Sequence, residues 1–188
     1  MDALVRRVMD ARLAGLLARW RLGPVDASSL ADHADHLLVI ESGDGHLRYR
    51  HYGRAFANRF GADLTGQAVD MLPAEVVTAE RRGMLEFDYL FVLGSGKPLW
   101  RAYTADFGGR RETWQRLVLP LGEGRLAVGA YPAATPDKIG EGGEALLRLV
   151  IERVPVVLGP GGAVEDLALS LEAFSSTRSQ LAEMEVLA

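Results

Sequence analysis

Apolar residues in the first part of the chain return at helical spacing: Val5, Met9, Leu13, Leu16 and Trp20 are separated by four, four, three and four positions. This predicts an amphipathic helix over residues 2–21, with arginines on its polar face. Gly23-Pro24 stops it, because proline cannot continue the hydrogen-bond ladder and glycine admits a left-handed cap. The polar stretch 26–35 predicts a short helical turn. The period then changes. His36–Glu41 reads as a strand, and Ser42-Gly43-Asp44-Gly45 has the chemistry of a tight reversal. His46–Tyr52 alternates, placing Leu47, Tyr49 and His51 on one face and Arg48, Arg50 and Tyr52 on the other.

Gly53–Phe60 predicts a short helix closed by Gly61, and Asp63–Gly66 a further turn. Pro73–Leu93 predicts a longer helix ended by Gly94-Ser95-Gly96, with Met84, Phe87 and Phe91 on the face that meets a sheet. Three strands follow: Lys97–Phe107, Arg111–Leu121 and Arg125–Tyr131. Their short connections favour an antiparallel meander. The order strand–strand–helices–strand–strand–strand is an α+β plan: a five-stranded antiparallel sheet with helices on one face, flanked by N-terminal and C-terminal helices.

Beyond the linker 133–143, Glu144–Arg153 predicts a helix, and Val154–Leu158 fits either a strand or a helix. Gly159–Gly162 reads as a hinge. Val164, Leu167, Leu171, Phe174, Arg178 and Leu181 then alternate at spacings of three and four, a coiled-coil seam broken once by Arg178. The chain thus divides into an N-terminal helix and cap (1–30), a central domain (31–133), a linker with a short helix (134–162) and a C-terminal helix (163–188).

Composition narrows the chemistry. The 188 residues are 48% apolar and 24% charged, the balance of a globular chain with one sizeable core. With no cysteine, disulfide scaffolds, thiolate zinc sites, cysteine nucleophiles and cysteinyl cofactor adducts are excluded within these residues. No apolar run is long enough to span a membrane, and the N-terminal arginines precede no secretion-signal core, so a cytoplasmic protein is expected. Residues 1–23 carry five arginines against Asp2 and Asp10, whereas 141–188 carry three basic and eight acidic groups, and the net charge is −4. No concentrated basic surface results, and nucleic-acid binding is not expected.

In the central domain, aromatic residues suggest an apolar cavity with a few polar groups between sheet and helices. Arg101 and Arg116 discriminate best, since a buried arginine requires an anionic partner; alternation alone does not place both inside. His33-x-x-His36 with Asp32 and Asp35 has a workable metal spacing, but such clusters are commonly solvated, and no metal is assigned. The glycine-rich stretches Gly94–Lys97 and Gly159–Gly162 lack the context of phosphate loops and read as hinges. A distant alternative is a small α+β enzyme in which Asp88 or Asp106, held among aromatics, acts as a general base.

Gly45, Leu47, Tyr49, His51, Ala55, Gly61 and Leu64-Thr65-Gly66, taken with the element order, resemble a PAS domain over residues 31–133. The segments L-R-Y-R-H-Y-G and D-L-T-G look like a bacterial branch found in alphaproteobacterial proteins; His51 stands where asparagine is frequent. The resemblance implies a sensory or regulatory module with a ligand between sheet and helices, dimerising through flanking helices. Candidate pocket residues are Tyr49, His51, Phe56, Met84, Phe87, Phe91, Trp100, Tyr103, Trp114 and Arg116. It further implies signalling through the 163–188 helix to an output domain such as a diguanylate cyclase or histidine-kinase core, absent from these residues. A ligandless dimerisation module is the alternative. Haem-binding relatives usually take a histidine from the helix matching Pro73–Leu93, and His33, His36, His46 and His51 all lie elsewhere, so no cofactor is named.

Overall fold

Asp10 starts the first helix. Its side chain accepts a hydrogen bond from the Arg12 amide at 2.9 Å, satisfying one of the donors that a helix start leaves open. Helix α1 (Ala11–Arg21) buries Leu13, Leu16 and Leu17 along one face. Each such leucine contributes about 1.5–3 kcal/mol relative to exposure. The computed structural model describes residues 9–25, 27–106, 111–133 and 156–157. The seam of Val164, Leu167, Leu171, Phe174, Arg178 and Leu181 lies outside the described residues, as does the helix expected over 144–153.

After the short helix α2 (Ala27–Leu30) and a 3-10 segment at Ala31–His36, β1 (Leu37–Gly43) and β2 (His46–Tyr52) form a hairpin. Asp44 and Gly45 turn it with φ of 52° and 74°, the doubly left-handed reversal that matches strand twist. Helix α3 (Arg54–Phe60) follows, closed by Gly61 at φ 73°. Gly53, just before α3, sits where a Cβ would lie 2.5 Å from the Asp35 carbonyl oxygen and 2.7 Å from those of Ala34 and Leu37, so no larger residue fits.

Helix α4 spans Ala79–Ser95 and begins later than the sequence pattern predicts. Thr78 caps it, with Oγ1 accepting from the Arg81 amide at 3.3 Å, while Pro73–Val77 forms turns in which the Val76 and Val77 amides both bond the Pro73 carbonyl. Strands β3 (Leu99–Asp106), β4 (Arg111–Gly122) and β5 (Arg125–Pro132) form the meander, and β6 (Val156–Val157) pairs with β3 at Leu99 and Trp100. The ambiguous apolar run over 154–158 is thus a strand at these two positions. The sheet order is β2-β1-β5-β4-β3-β6, antiparallel throughout.

Five antiparallel strands therefore form the body of an α+β fold, with helices α3 and α4 against one face. Helix α1 covers the other face, against Trp100, Ala102, Leu117, Leu119 and Ala127. Gly129 permits that approach: a Cβ there would lie 2.8 Å from Leu16 Cδ2 and 3.1 Å from Leu13 Cδ2. Buried Gln115 fastens the contact, accepting from the Asp10 amide at 2.8 Å and from Trp100 Nε1 at 3.3 Å. The outer edge of β2 is covered by Gly66–Val69, through Gly66 N to Tyr49 O (2.7 Å), Tyr49 N to Gln67 O (3.1 Å) and Val69 N to Leu47 O (2.8 Å).

One irregularity changes which side chains face inward. Val39 pairs with His51 but Ile40 pairs with Tyr49, so Arg50 is an extra residue in β2. The bulge reverses the alternation beyond it. Leu47, Tyr49 and Tyr52 are buried, whereas His51 is exposed and its Nε2 lies 2.9 Å from the Ala34 carbonyl oxygen. The expected faces of His51 and Tyr52 are thereby exchanged.

Candidate functional site

Strand register brings the two arginines together. Arg101 on β3 pairs with Arg116 on β4, and both point toward α4. There Asp88 waits, fully buried, one residue before Tyr89. Arg101 donates from Nε at 2.9 Å to Oδ2 and from Nη2 at 2.8 Å to Oδ1, a two-pronged pairing with the carboxylate. Arg116 donates through Nη2 to Oδ2 of the same group. Both arginines are at least 95% buried, which demands a partner of this kind.

The pairing bears on the alternative in which Asp88 acts as a general base. Both its oxygens are committed as acceptors to guanidinium groups, the setting of a structural counter-ion rather than of a base reaching for a substrate proton. Asp106 ends β3 opposite Arg111, away from this cluster.

Arg116 is also part of the wall of a cavity between the sheet and helices α3 and α4. The cavity has a free volume of about 40 Å³, and its wall includes Leu38, Tyr49, Tyr52, Phe56, Tyr89, Tyr103 and Ala130, with half-buried Arg81 toward solvent. The Arg116 guanidinium lies 5.6 Å from the ring centres of both Tyr89 and Tyr103, close enough for a cation–π attraction. Burial is the largest single influence on Arg116 and would lower its pKa, but the charge and hydrogen bond of Asp88, with Tyr89 and Tyr103 adding to them, together hold the group above its usual value. Its Nε, though buried, has no hydrogen-bond partner.

The tyrosines are held neutral. Burial is the leading cause for Tyr49, raised well above the ordinary tyrosine range, and for Tyr52, also raised; the neighbouring Tyr89 pushes both further up. Burial also pushes Tyr89 up to about 12, with Arg116 opposing and Asp88 adding to the rise. The Tyr89 hydroxyl approaches that of Tyr49 without a hydrogen bond of ordinary geometry, and is left without a partner.

Of the ten residues expected around a pocket, Tyr49, Phe56, Tyr103 and Arg116 line this one. His51 does not, because of the bulge. Trp100 does not, because strand alternation that turns Leu99 and Arg101 toward α4 turns it to the α1 side. Phe91 is buried in the same core, stacked on half-buried Phe87 at 6.2 Å, and Met84 packs at its margin. Trp114 is buried against Phe56, with ring centres 6.0 Å apart, outside the lining. Tyr52 and Tyr89 were not expected there, and Tyr89 could have been found only from the helix face that Asp88 occupies.

His36 sits at the end of the sheet and joins the two faces. Its ring stacks on Tyr131 at 4.6 Å and meets Phe56 edge-on at 6.4 Å. On the far side the Arg12 guanidinium lies 3.8 Å from the Tyr131 ring centre. His33 Nδ1 lies 2.7 Å from the Tyr131 hydroxyl. Among the described residues no group of three histidine, aspartate or glutamate side chains is arranged to hold a metal ion, and no helix is long and apolar enough to cross a membrane. Comparison of the chain with protein-family models, with curated proteins and with solved structures finds no match.

Proposed function

We propose that this chain is a cytoplasmic sensory or regulatory module of the PAS type, acting as a homodimer and passing a signal to an output domain outside these residues. The observation that carries the reading is the walled cavity between sheet and helices, faced by a buried arginine and buried tyrosine hydroxyls. Interior polar groups among aromatic walls are how proteins orient small ligands. The order of elements on which the resemblance rests, two strands, helices, then three strands, supports the same reading.

The mechanism follows the contacts. A molecule in the cavity presses on Phe56, which touches His36; His36 stacks on Tyr131, and Tyr131 carries Arg12 of α1. Occupancy thus biases how α1 sits on the sheet, and flanking helices, including the 163–188 segment, convey that bias to the partner copy and the output domain. Such a chain of contacts transmits only if its elements have two arrangements, which is what an experiment must find.

Native mass spectrometry of the purified chain, set beside analysis of its denatured extract, tests the proposal. A dimer with a co-purified small molecule is expected. Leu171→Glu should weaken the dimer in sedimentation, and a wild-type monomer at high micromolar concentration would refute the dimeric mechanism. The small size of the cavity favours a second reading, a ligandless assembly module; a dimer that retains no molecule and binds none would establish that alternative.

A further inference from the structure

We propose that the cavity beside Arg116 takes a small planar oxyanion, a short carboxylate or nitrate, as its ligand; this rests on the sensory reading above and specifies its chemistry. Three observations converge. Arg116 is buried and charged, yet its one carboxylate, Asp88, is already gripped at both oxygens by Arg101. The Arg116 Nε–H has no acceptor, and the Tyr89 hydroxyl, fully buried in the same wall, has none either. Buried donors left unmade cost more than the net worth of a typical hydrogen bond, so an acceptor between them is strongly favoured.

The shape of the space selects the ligand class. A free volume of about 40 Å³ holds about three water molecules, which matches an anion of three or four heavy atoms and excludes a nucleotide, a haem or a flavin. A guanidinium edge and a phenolic O–H are both donors to a planar oxygen pair. Elsewhere in the wall Leu38, Phe56 and Ala130 are apolar and suit a short alkyl group or none, while Arg81 adds a second positive charge. With burial keeping Tyr49, Tyr52 and Tyr89 protonated, the tyrosines add no competing negative charge.

The test is a thermal-shift and calorimetric titration of the full chain with sodium formate, sodium acetate and sodium nitrate. Sodium gluconate at equal ionic strength, whose anion is too large for the cavity, is the reference. At least one small anion should raise the melting temperature and give saturable heat. Tyr89→Phe, which deletes only an unpartnered hydroxyl, should melt no lower than wild type in gluconate while binding that anion about tenfold or more weakly. Arg116→Lys, retaining charge but not the planar fork, should lose affinity as well. If none of the three anions exceeds gluconate, or if Tyr89→Phe and Arg116→Lys bind as tightly as wild type, the inference is wrong. A neutral molecule retained in the native protein would also overturn it, leaving the sensory reading in place. Saturable anion binding with unchanged hydrogen exchange across Ala11–Arg21 would uphold the anion and overturn the sensory mechanism instead.

Discussion

Arg101 and Arg116 stand directly opposite one another on neighbouring strands, a placement that two like charges oppose unless something between them is negative. Asp88 is that something, contributed by a helix that crosses above them. The sheet and α4 are therefore joined by charge at the centre of an otherwise apolar layer.

Removing the carboxylate should be costly. Asp88→Ala strands two buried guanidinium groups and is expected to lower unfolding free energy by about 3–5 kcal/mol in urea titrations. Replacing the trio together, with Asp88→Leu, Arg101→Met and Arg116→Met, should cost much less, since desolvated ion clusters add little net stability. A loss below about 1 kcal/mol for Asp88→Ala would show that the cluster is not the joint described here.

Acid should loosen the end of the sheet where His36 lies. Burial is the main cause of its lowered pKa, the Arg12 charge adds to it, and Asp35 and Asp10 oppose. Because the folded protein resists protonating this ring, the unfolded chain takes up the proton first as pH falls below 6.5. Stability from His36 is thus complete above that pH and is lost as pH drops through the lower folded value. Chemical denaturation of His36→Phe across the same range should give a shallower decline than wild type; parallel curves would contradict the assignment.

Two glycines should respond differently to one methyl group. Gly129→Ala meets the flexible ends of Leu16 and Leu13 and should cost about 1–3 kcal/mol while displacing α1. Gly53→Ala meets three backbone carbonyl oxygens that cannot turn aside, and should cost more. Equal melting temperatures for the two variants would show the approach at Gly53 to be looser than described.

Gln115 should matter beyond its size. Gln115→Leu removes the acceptor for the Asp10 amide and for Trp100 Nε1, and the buried donor left behind should cost about 1–3 kcal/mol. In a Trp20→Phe, Trp114→Phe background, Trp100 emission should shift as its indole N–H loses its partner.

The strands and turns were legible because each sits between strong punctuation: Asp44-Gly45, Gly61, Gly96 and Gly122–Gly124 all adopt left-handed backbone where the sequence pattern breaks. Facing was harder. One extra residue at Arg50 exchanges His51 and Tyr52, and no property of Arg50 announces it. Along α4, Met84, Phe87 and Phe91 trace an apolar stripe, but the buried set is Leu85, Asp88, Tyr89, Phe91 and Val92. A carboxylate on the inward face pulls the apparent stripe around the helix, and its partners lie on strands whose mutual register the sequence does not carry. Trp100 lies outside the cavity for a related reason: two aromatics three positions apart on a strand, such as Trp100 and Tyr103, necessarily face opposite ways.

The segment that runs along β2 from Gly66 to Val69 has a consequence for how copies of this chain can meet. It already fills the ladder that a neighbouring molecule would need in order to extend the sheet into a fibril from that side, and β6 does the same for part of β3. Joining two copies edge to edge would first require peeling away a stretch of their own backbone, so association is steered toward side-chain surfaces, where it can be reversed and tuned.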